Sequence, residues 1–194
     1  MKKLMKMILC GLLLCGCTPH NEEPENKEPI EIVSNEKYKD PVNPNDAYAL
    51  AFNQLSADLK AEDMEKVAED VALCFVYDFF TFKNKKDSSD IGGLSYLPQN
   101  RVDEFAEFAE NNFYKNFNSI VSEYGKENLP EVSKVTIESK SETSVDYLEY
   151  TYDGYEFKIV VEYAPTKYPN EELKTNMSLT CLVYDGKAMV ISLK

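Results

Sequence analysis

Apolar residues recur at helical spacing through the middle of the chain and predict three helices there. Asn45 or Asp46 is positioned to cap the first helix. The second is expected to end near Phe82, and Asn100 is positioned to cap the third. The third helix either continues or restarts before Gly125, a residue typical of helix C-termini. Its apolar stripe consists of Val102, Phe105, Ala109, Phe113 and Phe117.

In the last third of the chain the apolar pattern changes to alternation, which is typical of strands. Two Asp-Gly pairs, Asp153-Gly154 and Asp185-Gly186, lie between such runs and predict two-residue hairpin turns. The predicted strands lie near Glu131–Ser141, Ser144–Tyr152, Tyr155–Ala164, Asn176–Tyr184 and Lys187–Leu193. Helices followed by antiparallel strands indicate an α+β fold.

The N-terminus has the layout of a bacterial export signal. Three lysines lie within the first six residues, and an apolar run of eight residues follows, Met7–Leu14. That run is too short for a spanning helix, which needs roughly 20 apolar residues. It ends in Leu14-Cys15-Gly16-Cys17, which resembles the lipobox of bacterial lipoproteins. The sequence therefore predicts a signal peptide at 1–16 and an acylated Cys17; a short buried helix or an ordinary cleaved signal are the alternatives.

Residues 17–45 form the second predicted segment, a lipidated Cys followed by a flexible linker. Five of the nine prolines lie within Thr18–Asn45, together with seven acidic residues and few apolar ones. Such a composition cannot bury enough apolar surface to offset the entropy of ordering the chain. The stretch Ile30–Val33 is the exception, since it could pair as a short edge strand. We expect the linker to hold one domain, residues 46–194, on the extracytoplasmic face of the membrane.

Charge and composition exclude several classes of function. The 194 residues include 21 Lys and Arg against 34 Asp and Glu, a formal charge of −13, so a basic nucleic-acid-binding surface is not expected. Cleavage before Cys17 leaves −16, which opposes adsorption to anionic lipid, so contact with the bilayer is assigned to the acyl chains. With one His in the chain, and with neither a phosphate loop nor metal-ligand spacing, the sequence predicts no cofactor and no metal.

The segment Leu59–Val67, which reads Leu-Lys-Ala-Glu-Asp-Met-Glu-Lys-Val, resembles the joint between two helices of nuclear transport factor 2-like (cystatin-like α+β) domains. The length of Asp46–Lys194, and a later helix before a long antiparallel sheet, are similar as well. The resemblance implies a cone in which three helices pack on a curved sheet of about four to five strands, often with an open pocket. Members include isomerases, dehydratases and non-catalytic binding modules, so the resemblance does not fix a function.

Asp78 is the most informative polar residue of the predicted second helix, and Tyr77 stands beside it. The residues that share its helical face are Val67, Val71, Cys74, Phe75 and Phe82. A carboxylate on such a face costs free energy unless it is hydrogen-bonded. Asp78 is therefore either a pocket acid or base, as in catalytic members of the superfamily, or a structural acceptor for a backbone N–H or a Tyr hydroxyl. Asp78 and Tyr77 are the pocket candidates, and no residue is assigned as catalytic.

Three further features leave alternatives open. The loop Asp87–Gly93 could hold a cation or an anion, but its spacing does not match a calcium loop, so this loop and the lysines just before it are expected to be a solvated connection between helices. Cys74 and Cys181 are predicted to be buried, either as free thiols or as a disulfide. The tyrosines in and beside the strands either pack within the sheet or form an exposed adhesive surface.

These observations favour a non-catalytic lipoprotein whose domain binds a cationic protein partner or a small ligand. Residues 46–194 carry a formal charge of −12, which favours encounter with cationic partners. Two alternatives stay open. One is a small-molecule enzyme of the isomerase, dehydratase or hydrolase type that uses Asp78. The other is a structural component of an envelope assembly.

Overall fold

The computed structural model of the protein describes residues 28–194, so the predicted signal peptide and Cys17 lie outside the described residues. The described part has an α+β fold, as predicted, with four α-helices and one four-stranded antiparallel sheet. The helices are α1 (Asp46–Ala61), α2 (Met64–Phe80), α3 (Val102–Asn112) and α4 (Phe117–Tyr124). The strands are β1 (Val132–Tyr147), β2 (Tyr150–Tyr163), β3 (Asn176–Tyr184) and β4 (Lys187–Leu193).

Side-chain caps define where the first two helices begin. The side chain of Asn45 accepts a hydrogen bond from the Tyr48 backbone N–H, and that of Asp63 accepts one from Lys66. Between the helices Glu62 takes a left-handed conformation, with φ of 57°, which ends α1. The helix that follows, α2, is the centre of the fold, because it packs against α1 on one side and against all four strands on the other.

The sheet is a meander with strand order β1-β2-β3-β4, in which every neighbouring pair is antiparallel. Alternate residues of the two central strands are buried, namely Phe157, Ile159 and Val161 of β2 and Leu179 and Cys181 of β3. These side chains form one core cluster with the apolar side of α2. Side chains therefore fill the space between the central helix and the sheet.

The two predicted hairpins have different outcomes. In the second hairpin Tyr184 pairs with Lys187, so its turn at Asp185-Gly186 is confirmed. Both turn residues have positive φ values, as a type I′ turn requires.

The prediction for the first hairpin is wrong. The chain turns at Leu148 and Glu149, with φ of 49° and 67°, and Asp153 and Gly154 lie inside β2. A Cβ at Gly154 would lie 2.6 Å from the carbonyl oxygen of Cys181, so the glycine is needed for the close approach of two strands. The two segments predicted before this turn therefore join into one long strand, β1.

The predicted third helix is interrupted and forms two helices. It stops at Asn112 and restarts at Phe117, and α4 then ends at Gly125 as predicted. Tyr114, in the interruption, is fully buried, and its hydroxyl donates a 2.5 Å hydrogen bond to the carbonyl oxygen of Phe79. The interruption is thus the point at which this stretch of chain enters the core.

The expectation of a flexible linker as far as residue 45 is wrong for residues 31–45, because this segment packs on the domain. Asn53 of α1 holds its first part, since its amide nitrogen donates to the Glu31 carbonyl oxygen and its amide oxygen accepts from the Val33 N–H. The Val33 carbonyl oxygen in turn accepts from Ser56. The stretch Ile30–Val33 forms no strand.

Tyr38 fixes the second part of the same segment and is only 4% exposed. Its hydroxyl donates to the carbonyl oxygen of Ala188 and accepts from the Ala188 N–H. Ala188 belongs to β4, an edge strand of the sheet, so one side chain satisfies two backbone groups that the sheet leaves unpaired. A segment with few apolar residues therefore contributes a structural side chain.

Candidate functional site

The carboxylate of Asp78 joins the last turns of α2 to the loop that follows the helix. Its Oδ1 accepts a 2.7 Å hydrogen bond from the ammonium of Lys85, which is also its ion-pair partner. Its Oδ2 accepts a 2.7 Å hydrogen bond from the Gly93 backbone N–H. Both oxygens are thus engaged by donors, which is the arrangement that a partly buried carboxylate requires.

The loop between α2 and α3 folds back over the end of α2 and brings these donors to Asp78. It starts where the N–H groups of Phe82 and Lys83 both donate to the Pro130 carbonyl oxygen, so the helix cannot continue. At its far end Gly92 passes so close to the Asp78 carbonyl group that a Cβ would overlap it. A glycine is required at that position because backbone meets backbone.

The expectation that this loop is a solvated charge run is wrong for Lys85. The Lys85 side chain is 6% exposed, against 44% for Lys83. A buried ammonium needs an acceptor, and Asp78 supplies it. The sequence analysis missed this pair because the two residues meet only after the chain has reversed direction.

A cavity of about 170 Å³ lies beside the Asp78–Lys85 pair. Its walls come from the start of α1, the loop after α2 and the packed N-terminal segment. The lining residues are Lys39, Asp40, Pro41, Val42, Tyr48, Asp78, Asn84, Lys85, Asp90, Ile91, Leu94 and Ser95. Asn84 Oδ1 is buried there without a hydrogen-bond partner. The cavity has both polar and apolar walls and is below the size of usual ligand pockets, so it suits several waters or a small molecule.

Tyr77, the second pocket candidate, points to a different place. Its hydroxyl accepts a 3.1 Å hydrogen bond from the Val135 N–H of β1, and its ring stacks on Tyr48 with a centroid distance of 6.0 Å. The hydroxyl therefore ties α2 to the sheet and does not line the cavity beside Asp78. The two sequence-predicted residues do not form one site.

A second acidic residue of α2 has a contrasting environment that the sequence analysis did not identify. Asp70 is 7% exposed and lies against Asp58 of α1, which accepts a 2.7 Å hydrogen bond from Gln54. Asp70 Oδ2 has no hydrogen-bond partner. Burial, together with the hydrogen bond to Asp58, raises the pKa of Asp70 to about 8. Asp70 is therefore mostly protonated at neutral pH.

The two cysteines of the domain are buried free thiols, which confirms the predicted burial and excludes the disulfide alternative in this structure. Both Cys74 and Cys181 are 0% exposed. Burial raises the pKa of both thiols above their ordinary value. Neither cysteine therefore has the thiolate character of a nucleophile.

One end of the sheet carries a group of tyrosines that we call the aromatic end: Tyr147, Tyr150, Tyr152 and Tyr184. The ring of Tyr152 lies 6.3 Å from that of Tyr147, 6.4 Å from that of Tyr150 and 5.2 Å from that of Tyr184. Tyr150 is 68% exposed and Tyr184 is 54% exposed. Of the two alternatives for the strand tyrosines, exposure therefore applies to Tyr150 and Tyr184. Tyr155 instead joins the core.

Within residues 28–194, no helix is long and apolar enough to cross a membrane. The same residues hold no group of three or more His, Cys, Asp or Glu side chains arranged to bind a metal ion. Comparison of the chain with models of protein families, with curated proteins and with solved structures finds no match.

Proposed function

We propose that the protein is a bacterial lipoprotein, anchored by acylated Cys17 on the extracytoplasmic side of the membrane, whose domain is a non-catalytic binding module. The lipobox-like Leu14-Cys15-Gly16-Cys17 and the short apolar run before it support the anchor. Several acyl chains provide stable attachment, at about 0.8 kcal/mol for each buried methylene. The partner is a cationic protein or a small ligand, because residues 46–194 carry a formal charge of −12.

The observation that carries the binding-module part is the engagement of both Asp78 oxygens. An enzyme that used Asp78 as a general base needs one oxygen within reach of a substrate proton. Lys85 and the Gly93 N–H each hold one acceptor site of the carboxylate and fix its position between α2 and the loop, which is a structural role. Side chains fill the space between α2 and the sheet, and no strand residue lines the cavity beside the carboxylate, so that cavity lies outside the interior of the cone. These features support binding at the surface over catalysis inside the cone.

The domain itself is proposed to be of the nuclear transport factor 2-like kind. The joint that resembles that superfamily contains the left-handed Glu62 and the helix cap Asp63, between two packed helices. The helix α2 then lies under an antiparallel meander. Helices on a curved sheet are the arrangement that the resemblance implies.

Because residues 31–45 pack on the domain, they cannot contribute to the distance between the domain and the acylated Cys17. The stretch from Cys17 to Glu31 spans at most about 50 Å when it is fully extended. The domain is therefore held nearer to the membrane than a linker running to Asn45 would permit. Partners within this distance are proteins of the same envelope layer.

The anchor is tested by metabolic labelling with an alkyne fatty acid, followed by detection of the acylated chain. Wild-type protein is expected to incorporate label and to fractionate with membranes, and Cys17→Ala to do neither. Cys15→Ala is the matched control, because alanine at this position fits the lipobox and leaves Cys17 in place. A wild-type mature chain without acyl mass on Cys17 contradicts the proposal.

The binding-module part is tested by crosslinking the anchored protein in its own membrane and identifying what is recovered. Wild type and Asp78→Asn are expected to recover the same partner, because Asp78 has a structural role. Recovery of no partner, together with turnover of a small substrate that Asp78→Asn abolishes, would favour the enzyme.

A further inference from the structure

We propose that the aromatic end of the sheet is the docking surface for a positively charged segment of a protein partner, whose Arg or Lys side chains lie on the exposed tyrosine rings. This inference rests on the proposed function and names the surface and the chemistry of its partner. It is carried by three observations: exposed aromatic rings, carboxylates in the two adjoining turns, and an Arg–Tyr contact already present at the same end of the sheet.

Both hairpin turns place their aromatic residues at the same end of the sheet. Gly154 pairs with Leu182, so the strand ends that continue to Tyr152 and Tyr184 run side by side. The turn of the first hairpin exposes Leu148 by 60% as well. Together with Tyr150 and Tyr184, this residue forms an apolar patch that water contacts directly, and such patches mark interaction sites.

Packing within the protein explains the presence of Tyr152 in this cluster, whereas it does not explain Tyr150 and Tyr184. Tyr152 stands opposite Val145, which is 6% exposed and lies outside the main core. Covering Val145 gives Tyr152 a structural role. Tyr150 and Tyr184, which are more than half exposed, place most of their surface in water, so their value lies in contact with another molecule.

Exposed carboxylates lie at this end of the sheet. Glu149 and Asp185 are in the two turns, whereas Asp146 and Asp153 are on the opposite face of the strands that carry the rings. The sequence contains no Lys or Arg between Ser141 and Phe157. A surface that combines aromatic faces with negative charge is complementary to a cation that sheds part of its water on binding. The same charges repel anionic lipid and anionic polysaccharide.

The basic side chains that reach this end already have partners. The Arg101 guanidinium lies over the Tyr147 ring, 5.4 Å from its centroid. The Lys37 ammonium donates to the Asp185 carbonyl oxygen, and the Lys187 ammonium lies over the ring of Tyr38. The Arg101 contact shows in this chain the interaction that we assign to the partner, a guanidinium resting on a tyrosine face.

The test measures binding of a fluorescent peptide of alternating Arg and Gly to the full lipidated protein in non-ionic detergent, by fluorescence anisotropy. The same peptide with Glu in place of Arg is the charge control. The Arg peptide is expected to bind, with an affinity that falls as salt is raised. No binding of the Arg peptide to wild type overturns the inference.

Two pairs of substitutions separate the aromatic end from general acidity. The double variant Tyr150→Ala/Tyr184→Ala is expected to weaken the Arg peptide about tenfold, because two exposed cation–π contacts are lost. The matched control Tyr124→Ala/Tyr168→Ala removes an aromatic pair elsewhere, with ring centroids 5.7 Å apart, and is expected to change the affinity less than twofold. Equal binding by both double variants means that the peptide binds diffusely to acidic surface and contradicts the inference.

A neutral polysaccharide fragment is the second probe. If it binds and the Tyr150→Ala/Tyr184→Ala variant abolishes that binding while the Arg peptide is unaffected, the surface recognises glycans and the inference about a cationic partner is wrong. Neither result bears on acylation of Cys17, which is tested separately by the fatty-acid labelling experiment. A crosslinked partner that does not depend on Tyr150 and Tyr184 would contradict the docking surface and leave the binding module in place.

Discussion

The helix α2 carries two acidic residues, Asp70 and Asp78, whose carboxylates have opposite surroundings in the fold. Asp78 faces a buried ammonium and a backbone N–H, and each of its oxygens has a donor. Asp70 faces another carboxylate, that of Asp58, and its Oδ2 has no partner. The same residue type on the same helix is therefore held in an ion pair in one place and is mostly protonated at neutral pH in the other.

The difference shows that the neighbouring elements decide the state of a buried carboxylate. Asp78 lies where the loop after α2 returns with Lys85 and Gly93, so it gains a countercharge. Asp70 lies at the contact with α1, where the adjacent polar residue is Asp58. Charge compensation favours the ionised form, whereas burial beside a like charge favours the neutral form.

The largest expected effect of this difference is on the pH dependence of stability, at Asp70. Its pKa is raised to about 8 in the folded protein and is about 3.9 for an unfolded aspartate. Between these values the folded state binds more protons than the unfolded state, so stability is full below the lower value and is lost as pH rises towards the upper one. The contribution to the free energy of unfolding falls by on the order of 3 kcal/mol between pH 5 and pH 8.

The variant Asp70→Asn keeps a neutral group at this position and is expected to remove that part of the pH dependence. Urea denaturation at several pH values measures it, with Glu107→Gln, an exposed residue of α3, as the control. If Asp70→Asn loses as much stability between pH 5 and pH 8 as wild type does, Asp70 is not the group that titrates.

At Asp78 the expected effect is a loss of stability on substitution, and it is next in size. In Asp78→Asn the amide oxygen still accepts from the Gly93 N–H, but the buried ammonium of Lys85 loses its countercharge. Loss of one partner of a buried ion pair costs about 3 kcal/mol, at the lower end of the usual range because Asp78 is 23% exposed. Urea denaturation at pH 7 checks this value. A variant as stable as wild type would show that the pair contributes nothing to folding.

Replacing the other partner is expected to cost less. Lys85→Met keeps the packing of the aliphatic chain and leaves a carboxylate that water can partly reach, so we expect a loss of about 2 kcal/mol. Lys86→Met, at the exposed neighbouring position, is the control and is expected to stay within about 0.5 kcal/mol of wild type. The double variant Asp78→Asn/Lys85→Met should lose less than the sum of the two, since both changes remove one interaction.

The sequence allowed Asp78 to be selected, because its helical face is otherwise apolar, but not its partner. Lys85 stands among three lysines in a polar stretch, and its burial depends on a reversal that brings Gly92 against α2. Asp70 was not selected as a site candidate. Local rules disfavour a second carboxylate at its contact with α1, so they do not predict one there. Both outcomes depend on contacts between elements, which the pattern along one element does not contain.

The turns of the sheet also depend on contacts between elements, which local sequence does not contain. Asp185-Gly186 forms the turn that its chemistry predicts, whereas Asp153-Gly154 does not, because β2 needs the missing side chain of Gly154 where it meets Cys181. The turn forms instead at Leu148 and Glu149, which carry no local turn signal. The start of α1, the end of α2 and both bounds of β4 were predicted within a few residues of the observed ones.

The packed N-terminal segment was missed for a related reason. Composition correctly describes residues 31–45 as poor in apolar side chains, but a single residue, Tyr38, is enough to hold the segment on the edge of β4. One aromatic side chain with a hydroxyl satisfies two backbone groups and buries its ring. The average composition of a sequence window does not indicate this role of a single residue.

The smallest expected effect is at Tyr77 of the same helix, where a substitution removes a hydrogen bond without changing any charge. Tyr77 is neutral and 6% exposed, and its hydroxyl accepts from the Val135 N–H. In Tyr77→Phe the ring still stacks on Tyr48 and only this hydrogen bond is lost, so the free energy of unfolding should fall by about 1 kcal/mol. The loss should be the same at pH 5 and pH 8, because burial raises the pKa of this hydroxyl above its ordinary value and it stays protonated at both. Urea denaturation at the two pH values measures it, with Tyr124→Phe as the control. A loss as large as that of Asp78→Asn would mean that an unpaired polar group accounts for both penalties, and that the countercharge at Asp78 contributes little.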